Sequence, residues 1–245
     1  MIKYVAEIGV NHLGNSKLGF KLVKAAAASG ADAVSMQILD DKDYDYKKPW
    51  RRRIKKDFYI KVIKFLKKKK IKFGFGIYDV NAINEFKGVE VDFWKIISYC
   101  FYKDELIKEA LKTKKDVYIS TGVSSLQEIK KRSKKFPKAK FIHTTLSKNI
   151  SSNLFAIKAL KKSLKKNISY GLHSEVLELI PAAIALKPET IFFYIKNDNK
   201  LFYPDNEHAV NVDKIKEKIK IWKFIEFSLG NGLKRKLKTP SWVFE

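Results

Sequence analysis

The residues of this chain that could do chemistry gather where short β-type runs end. Glu7 closes the first run and leads through Asn11 to His12, while Ser35 and Gln37 share one face of the second. Further along stand Lys95 and Ser98, then Ser120-Thr121-Gly122, then His143 with Thr144, and last His173 with Glu175. Charged groups inside strands, such as Glu7 and Lys95, require a partner or a ligand, because burying an unpaired charge is costly. The plainer account is a buried Glu–Lys ion pair with polar residues lying just above a core. Six strand ends carrying hydrogen-bonding groups together favour a binding or catalytic site over that account.

The segment 120–128 adds a mechanism. Ser-Thr-Gly leaves a strand, and Ser124-Ser125-Leu126-Gln127-Glu128 contains overlapping capping-box patterns that open a helix. A hydroxyl-rich turn with a glycine at a helix N-terminus offers backbone N–H groups and a positive dipole end to a phosphate or carboxylate. Any well-capped helix shows this pattern, so by itself it is only moderately specific.

Elements of alternating type must position these groups. The periodicity predicts strands over 3–8, 31–37, 72–78, 93–98, 116–121, 140–145, 167–172 and 190–196. Lysine-rich amphipathic helices follow each, over 17–29, 56–69, 79–87, 103–112, 124–134, 154–165, 175–186 and 212–228. Eight βα units with no strand left over predict a closed, parallel (β/α)₈ TIM barrel of the aldolase type, and 245 residues suit one such domain. The barrel is expected over about 1–228, with a short extension over 229–245. Two longer loops, 38–55 and 197–211, leave C-terminal strand ends, the face on which barrel enzymes build active sites.

Composition narrows the class further. The net charge is +25, from 51 basic and 26 acidic residues. Blocks such as Arg51 to Arg53 and Lys67 to Lys70 could serve nucleic acid or an anionic membrane. Lysines recur on nearly every helix, however, and no nucleic-acid fold signature or aromatic–basic interleaving is present, so a solvated surface is the better account. The field would still attract small polyanionic substrates. No apolar run is long enough to span a membrane and the start reads as a strand rather than a signal peptide. The lone Cys100 reads as a small buried hydrophobe, and cytoplasm is the default compartment.

The motifs taken in order resemble the sialic acid synthase family. Ala6-Glu7-Ile8-Gly9-Val10-Asn11-His12-Leu13-Gly14 is similar to its AEIGxNHxG opening, and Ser29-Gly30-Ala31-Asp32-Ala33-Val34 to its AGADAV segment. Lys95-Ile96-Ile97-Ser98 resembles KIxSG, and Ser120-Thr121-Gly122 with Leu126-Gln127-Glu128-Ile129 resembles STGxxxLEEI. Phe141-Ile142-His143, Asn153-Leu154-Phe155-Ala156-Ile157 and Pro204-Asp205 follow in family order. The resemblance implies condensation of phosphoenolpyruvate with an N-acylated amino sugar aldehyde to a nine-carbon 2-keto acid for surface carbohydrate. It assigns Lys95, Ser98, Ser120, Thr121 and Gly122 to phosphoenolpyruvate. Glu7, Lys95 and His143 would be catalytic, with Asn11, His12, Gln37 and Asn153 on the sugar side. It also implies a manganese or magnesium ion, and a homodimer or a partner synthase.

The sequence departs from that pattern at several points. A family lysine falls on Ser35, and the family's two metal histidines fall on Glu175 and Tyr194, leaving Glu175 as the candidate ligand with His173 nearby. A Tyr-Pro pair falls on Lys148-Asn149, and the histidine of a Gly-Pro-Asp-His loop falls on Asn206, with His208 two residues on. A counterpart of the family's small antifreeze-like C-terminal domain is not expected. The rival reading is a catalytically impaired member that binds a sugar, a phosphate or a partner.

Overall fold

The computed structural model describes residues 1–146 and 151–234; Lys148, Asn149 and the end of the predicted extension lie outside them. Eight parallel strands form one sheet in chain order: β1 (Lys3–Gly9), β2 (Ala33–Ile38), β3 (Lys72–Ile77), β4 (Phe93–Ile96), β5 (Asp116–Ser120), β6 (Lys140–His143), β7 (Ile168–Gly171) and β8 (Thr190–Lys196). Pairing of β1 with β8 closes the cylinder. The helices between them are α1 (Ser16–Ala28), α2 (Lys56–Lys68), α3 (Val80–Glu85), α4 (Asp104–Lys112), α5 (Leu126–Lys135), α6 (Ala156–Leu164), α7 (Leu179–Ile184) and α8 (Ile215–Ser228). The predicted (β/α)₈ barrel is therefore the observed fold, with boundaries shifted by a few residues. No helix among the described residues is long and apolar enough to cross a membrane.

Strand periodicity separates two cores. Val5, Ala33, Phe93, Tyr118, Ile142 and Phe192 fill the cylinder, and the intervening residues join the larger layer between sheet and helices. Two residues further along the inward faces come Glu7, Ser35, Lys95, Ser120, Thr144 and Tyr194, the next layer toward the C-terminal mouth. Register agrees, since Glu7 lies opposite both Ser35 and Tyr194.

The interior is tight where Gly74 faces Phe93. A methyl at Gly74 would lie 2.4 Å from that ring, too close for any carbon contact. Gly74→Ala is therefore expected to cost about 1–3 kcal/mol through overpacking, read as a lower urea midpoint. An unchanged midpoint would mean that the ring moves freely.

The two long loops are partly ordered. Residues 38–55 contain two single 3₁₀ turns, Asp41–Asp43 and Pro49–Arg51. The loop after β8 contains a ninth strand, β9 (Ala209–Asn211), which the sequence reading took as loop. It pairs in parallel with Tyr194 to Lys196, on the edge of β8 left open once β7 ends at Gly171. A three-residue strand carries too little periodicity to be seen in sequence. Lys196 Nζ, buried, donates at 2.8 Å to both the carbonyl and the side-chain oxygen of Asn206, so this loop is pinned over the mouth.

Candidate active site

The centre of the mouth is a buried ion pair. Lys95 Nζ donates to both carboxylate oxygens of Glu7, at 2.7 and 2.6 Å, and Ser35 Oγ donates to Oε1 at 3.2 Å. Both side chains are about 5% exposed, so the pair sits where charge interactions are poorly screened. Lys95 also lies 5.3 Å from the Phe192 ring centroid and 5.6 Å from that of Tyr194. It is the cation that lines a deep chamber of about 160 Å³, with Gln37, Tyr78, Ser98, Ser120, His173, Tyr194 and Asp205.

Hydroxyls and an amide complete one wall. Ser98 Oγ donates to Ser120 Oγ at 3.0 Å and accepts from the Gly122 N–H at 3.1 Å. Thr144 Oγ1 is buried beside them without a partner among the described residues. The α5 helix beyond starts from a complete capping box, Ser125 with Glu128. Capping uses the donors at the helix tip, so the helix end positions the turn, while Ser98 and Ser120 line the chamber. Thr121, expected on the phosphate, instead donates its hydroxyl to the Ile142 carbonyl at 2.9 Å and ties β5 to β6.

An outer chamber of about 420 Å³ adjoins the deep one and shares Tyr99, Leu146 and His173 with it. Its remaining lining includes Glu175, Phe202, Asn206, Glu207 and His208. His173 packs against Tyr194 and His208, with ring centroids 5.4 and 4.9 Å away, and His208 Nε2 lies 3.5 Å from Asp205 Oδ1. Burial, then the Lys95 charge, holds the His173 imidazole well below its usual pKa. Gln37 is held by its Nε2 donating to the Tyr78 hydroxyl at 2.7 Å.

Four further expected site residues are placed elsewhere. His143, taken as catalytic, points to the helix side of β6, where its Nε2 meets the Ser152 carbonyl at 2.9 Å and its ring stacks on Tyr170. Strand alternation explains this: Thr144 is the inward residue and His143 the outward one. Asn11 is fully buried as a latch, its Nδ2 donating to the Ile195 carbonyl at 3.0 Å and its Oδ1 accepting from the Asp205 N–H at 3.4 Å. His12 accepts the Gly14 N–H on Nδ1 at 2.9 Å beneath the β1–α1 turn. Asn153 is exposed and lines neither chamber. Sequence reasoning named Thr144 and Asp205 without giving either a role and missed Tyr78 and Tyr99; strand parity pointed to Thr144, whereas the others arrive on loops.

His12 makes stability pH-dependent. Burial lowers its pKa to about 4, whereas the unfolded chain titrates near ~6.5. Its folded pKa is depressed, so its contribution is full above ~6.5 and is lost as pH falls toward about 4. Between pH 7.5 and 5 this group should remove about 2 kcal/mol, and His12→Asn should flatten that part of the curve. Thermal midpoints measured across that range check it; identical slopes for both proteins would reject it.

The residues present do not fit the implied dication. Burial, with the carboxylates of Glu7 and Asp205 nearby, holds the Tyr194 phenol well above its usual pKa. It therefore stays protonated, a poor ligand for hard Mg²⁺ or Mn²⁺. Glu175 is exposed and lines only the outer chamber, while Tyr194 lines only the deep one. Among the described residues, no three or more His, Cys, Asp or Glu side chains are grouped to hold a metal. Glu175 thus lacks the companions its expected metal role would need.

The chain resembles known proteins in sequence profile, in whole-chain sequence and in fold. A sequence profile of the NeuB family matches residues 40–234. N,N'-diacetyllegionaminic acid synthase of Campylobacter jejuni is 26% identical over 265 residues, covering 96% of this chain and 79% of that protein. Pseudaminic acid synthase of the same species is 23% identical, with 93% and 75% covered. Among solved structures, the sialic acid synthetase of Leptospira borgpetersenii, in complex with citrate, superposes with a TM-score of 0.86. It is 25% identical and covers 98% of this chain and 88% of that one.

Proposed function

The chain belongs to the NeuB family, and on that premise we propose that it joins phosphoenolpyruvate to an N-acylated amino sugar aldehyde. The observation that carries this reading is the deep chamber, whose lining combines Lys95 with Ser98 and Ser120, Ser98 being held in turn by the Gly122 N–H. One cation with hydroxyl groups beside it suits a small carboxylate- and phosphate-bearing molecule. The outer chamber then takes the sugar.

In this reading the π pair of the C2=C3 bond of phosphoenolpyruvate forms the new bond from C3 to the aldehyde carbon. The carbonyl pair moves onto the aldehyde oxygen. Water adds at C2, and the proton it releases neutralises that oxygen. The C2–O bond to phosphate then breaks as the C2 hydroxyl gives its proton to the leaving phosphate, so a 2-keto acid and inorganic phosphate result. Lys95 balances the substrate's negative charge, and Glu7 orients Lys95 in return.

Purified protein mixed with phosphoenolpyruvate and N-acetylmannosamine, or related N-acylated hexosamines, with and without Mn²⁺, should release phosphate. No release with any sugar in either condition would reject the catalytic reading. One observation favours the rival, a binding protein without turnover: two of the three Lys95 protons are already engaged by Glu7. That version predicts thermal stabilisation by phosphoenolpyruvate without phosphate release.

A further inference from the structure

Tyr194, His173 and His208 form a triangle at the boundary of the two chambers. Ring centroids are 5.4 Å apart for Tyr194 and His173, 5.0 Å for Tyr194 and His208, and 4.9 Å for the two histidines. Gly9 makes room for the phenol, since a methyl there would lie 2.8 Å from the Tyr194 ring. Asp205 sits beside both Tyr194 and His208. The Tyr194 hydroxyl makes no hydrogen bond among the described residues, although the ring lines the deep chamber. Two corners of the triangle are therefore imidazoles, and the third is a phenol that keeps its proton. The Lys95 ammonium, 5.6 Å from that ring, adds positive charge on the same side.

The geometry points to an acceptor pole that works without a divalent ion, in which the Tyr194 hydroxyl donates the hydrogen bond that polarises the acceptor's carbonyl oxygen. This rests on the synthase reading above and concerns the same site. His173 and His208 act as positioning residues that clamp the phenol from two sides. The phenol keeps its proton throughout: it shares a hydrogen bond with the oxygen that gains negative charge, and the proton that neutralises this oxygen is the one released when water adds at C2. A neutral donor beside developing charge in a buried site provides the kind of stabilisation that a Lewis acid would. It also spares the site a dication beside Lys95.

The test uses the full chain and three readouts. Mn²⁺ titration followed by electron paramagnetic resonance, and Co²⁺ titration followed by visible absorption, should leave both ions in their aqueous form with the wild-type protein. Tyr194→His should complete three imidazoles around one point and take up one Co²⁺ per chain with intense absorption. Stoichiometric capture of either ion by the wild-type protein would overturn the proposal, as would failure of folded Tyr194→His to bind Co²⁺. In the phosphate-release assay, turnover should persist in EDTA, and Tyr194→Phe should lower kcat roughly 100-fold with little change in KM for phosphoenolpyruvate. Turnover that stops in EDTA and returns with Mn²⁺ also overturns it. If the wild-type protein releases no phosphate at all, the synthase reading fails by itself, while the two titrations still decide whether the triangle is metal-free.

Discussion

Lys95→Met should lower stability by about 3–5 kcal/mol, because it leaves the Glu7 carboxylate buried without its counter-charge. Glu7 accepts two hydrogen bonds from Lys95 and one, at 3.2 Å, from Ser35, so the variant keeps only the weakest. For a chain of this size that corresponds to a thermal midpoint lower by roughly 10 °C. The double variant Glu7→Gln with Lys95→Met removes both charges and should recover most of the loss, since a matched neutral pair needs no compensation. Thermal and urea unfolding of the three proteins measure this cycle. A single variant within ~1 kcal/mol of wild type would mean that the pair is hydrated rather than buried. The same double variant should bind phosphoenolpyruvate poorly despite being folded, which separates the stabilising role of Lys95 from its ligand role.

A second large effect is expected at Gly122. A methyl there would lie 2.7 Å from Leu146 Cγ, 2.8 Å from Ser98 Oγ and 3.2 Å from Thr144 Cγ2, at the wall of the deep chamber. Gly122→Ala should push Ser98 out of its bonds to Ser120 and to the Gly122 N–H. Loss of one charge-assisted hydrogen bond to an anion is worth about 1.5–3 kcal/mol, or roughly 10- to 100-fold in affinity. Isothermal titration with phosphoenolpyruvate measures it. Unchanged affinity would place the anion elsewhere in the mouth. A small change in thermal midpoint alongside the affinity loss would show that the methyl acts on the ligand wall rather than on the fold.

Several particulars of the fold and the site were legible before any coordinates. Alternation of short apolar runs with amphipathic lysine-rich segments specifies eight βα units, because a strand repeats every two residues and a helix every 3.6. Glu7 and Lys95 inside apolar strands already demanded a buried partner, and they proved to be each other's. The Ser-x-x-Glu spacing at Ser125 and Glu128 announced the start of α5, and both halves of the capping box are present. These signals are local: each depends on side-chain types within a few residues of one another.

His143 shows where local signals end. The dipeptide His143-Thr144 offers two polar groups at a strand's end, and which one enters the mouth depends on strand parity relative to the cylinder. Asn11 and His12 share the difficulty, because their type suited a ligand while the turn they occupy uses them to hold backbone. Tyr78, Tyr99 and Asp205 come to the chambers on loops from three separate strands. The sequence by itself thus determined the barrel, the residue types at its mouth and the need of Glu7 and Lys95 for a buried partner. Only the tertiary structure decided which of those groups face one another, because closing the cylinder sets distances between residues far apart in the chain. The Tyr194, His173 and His208 triangle exists through that closure alone, and no local spacing records it.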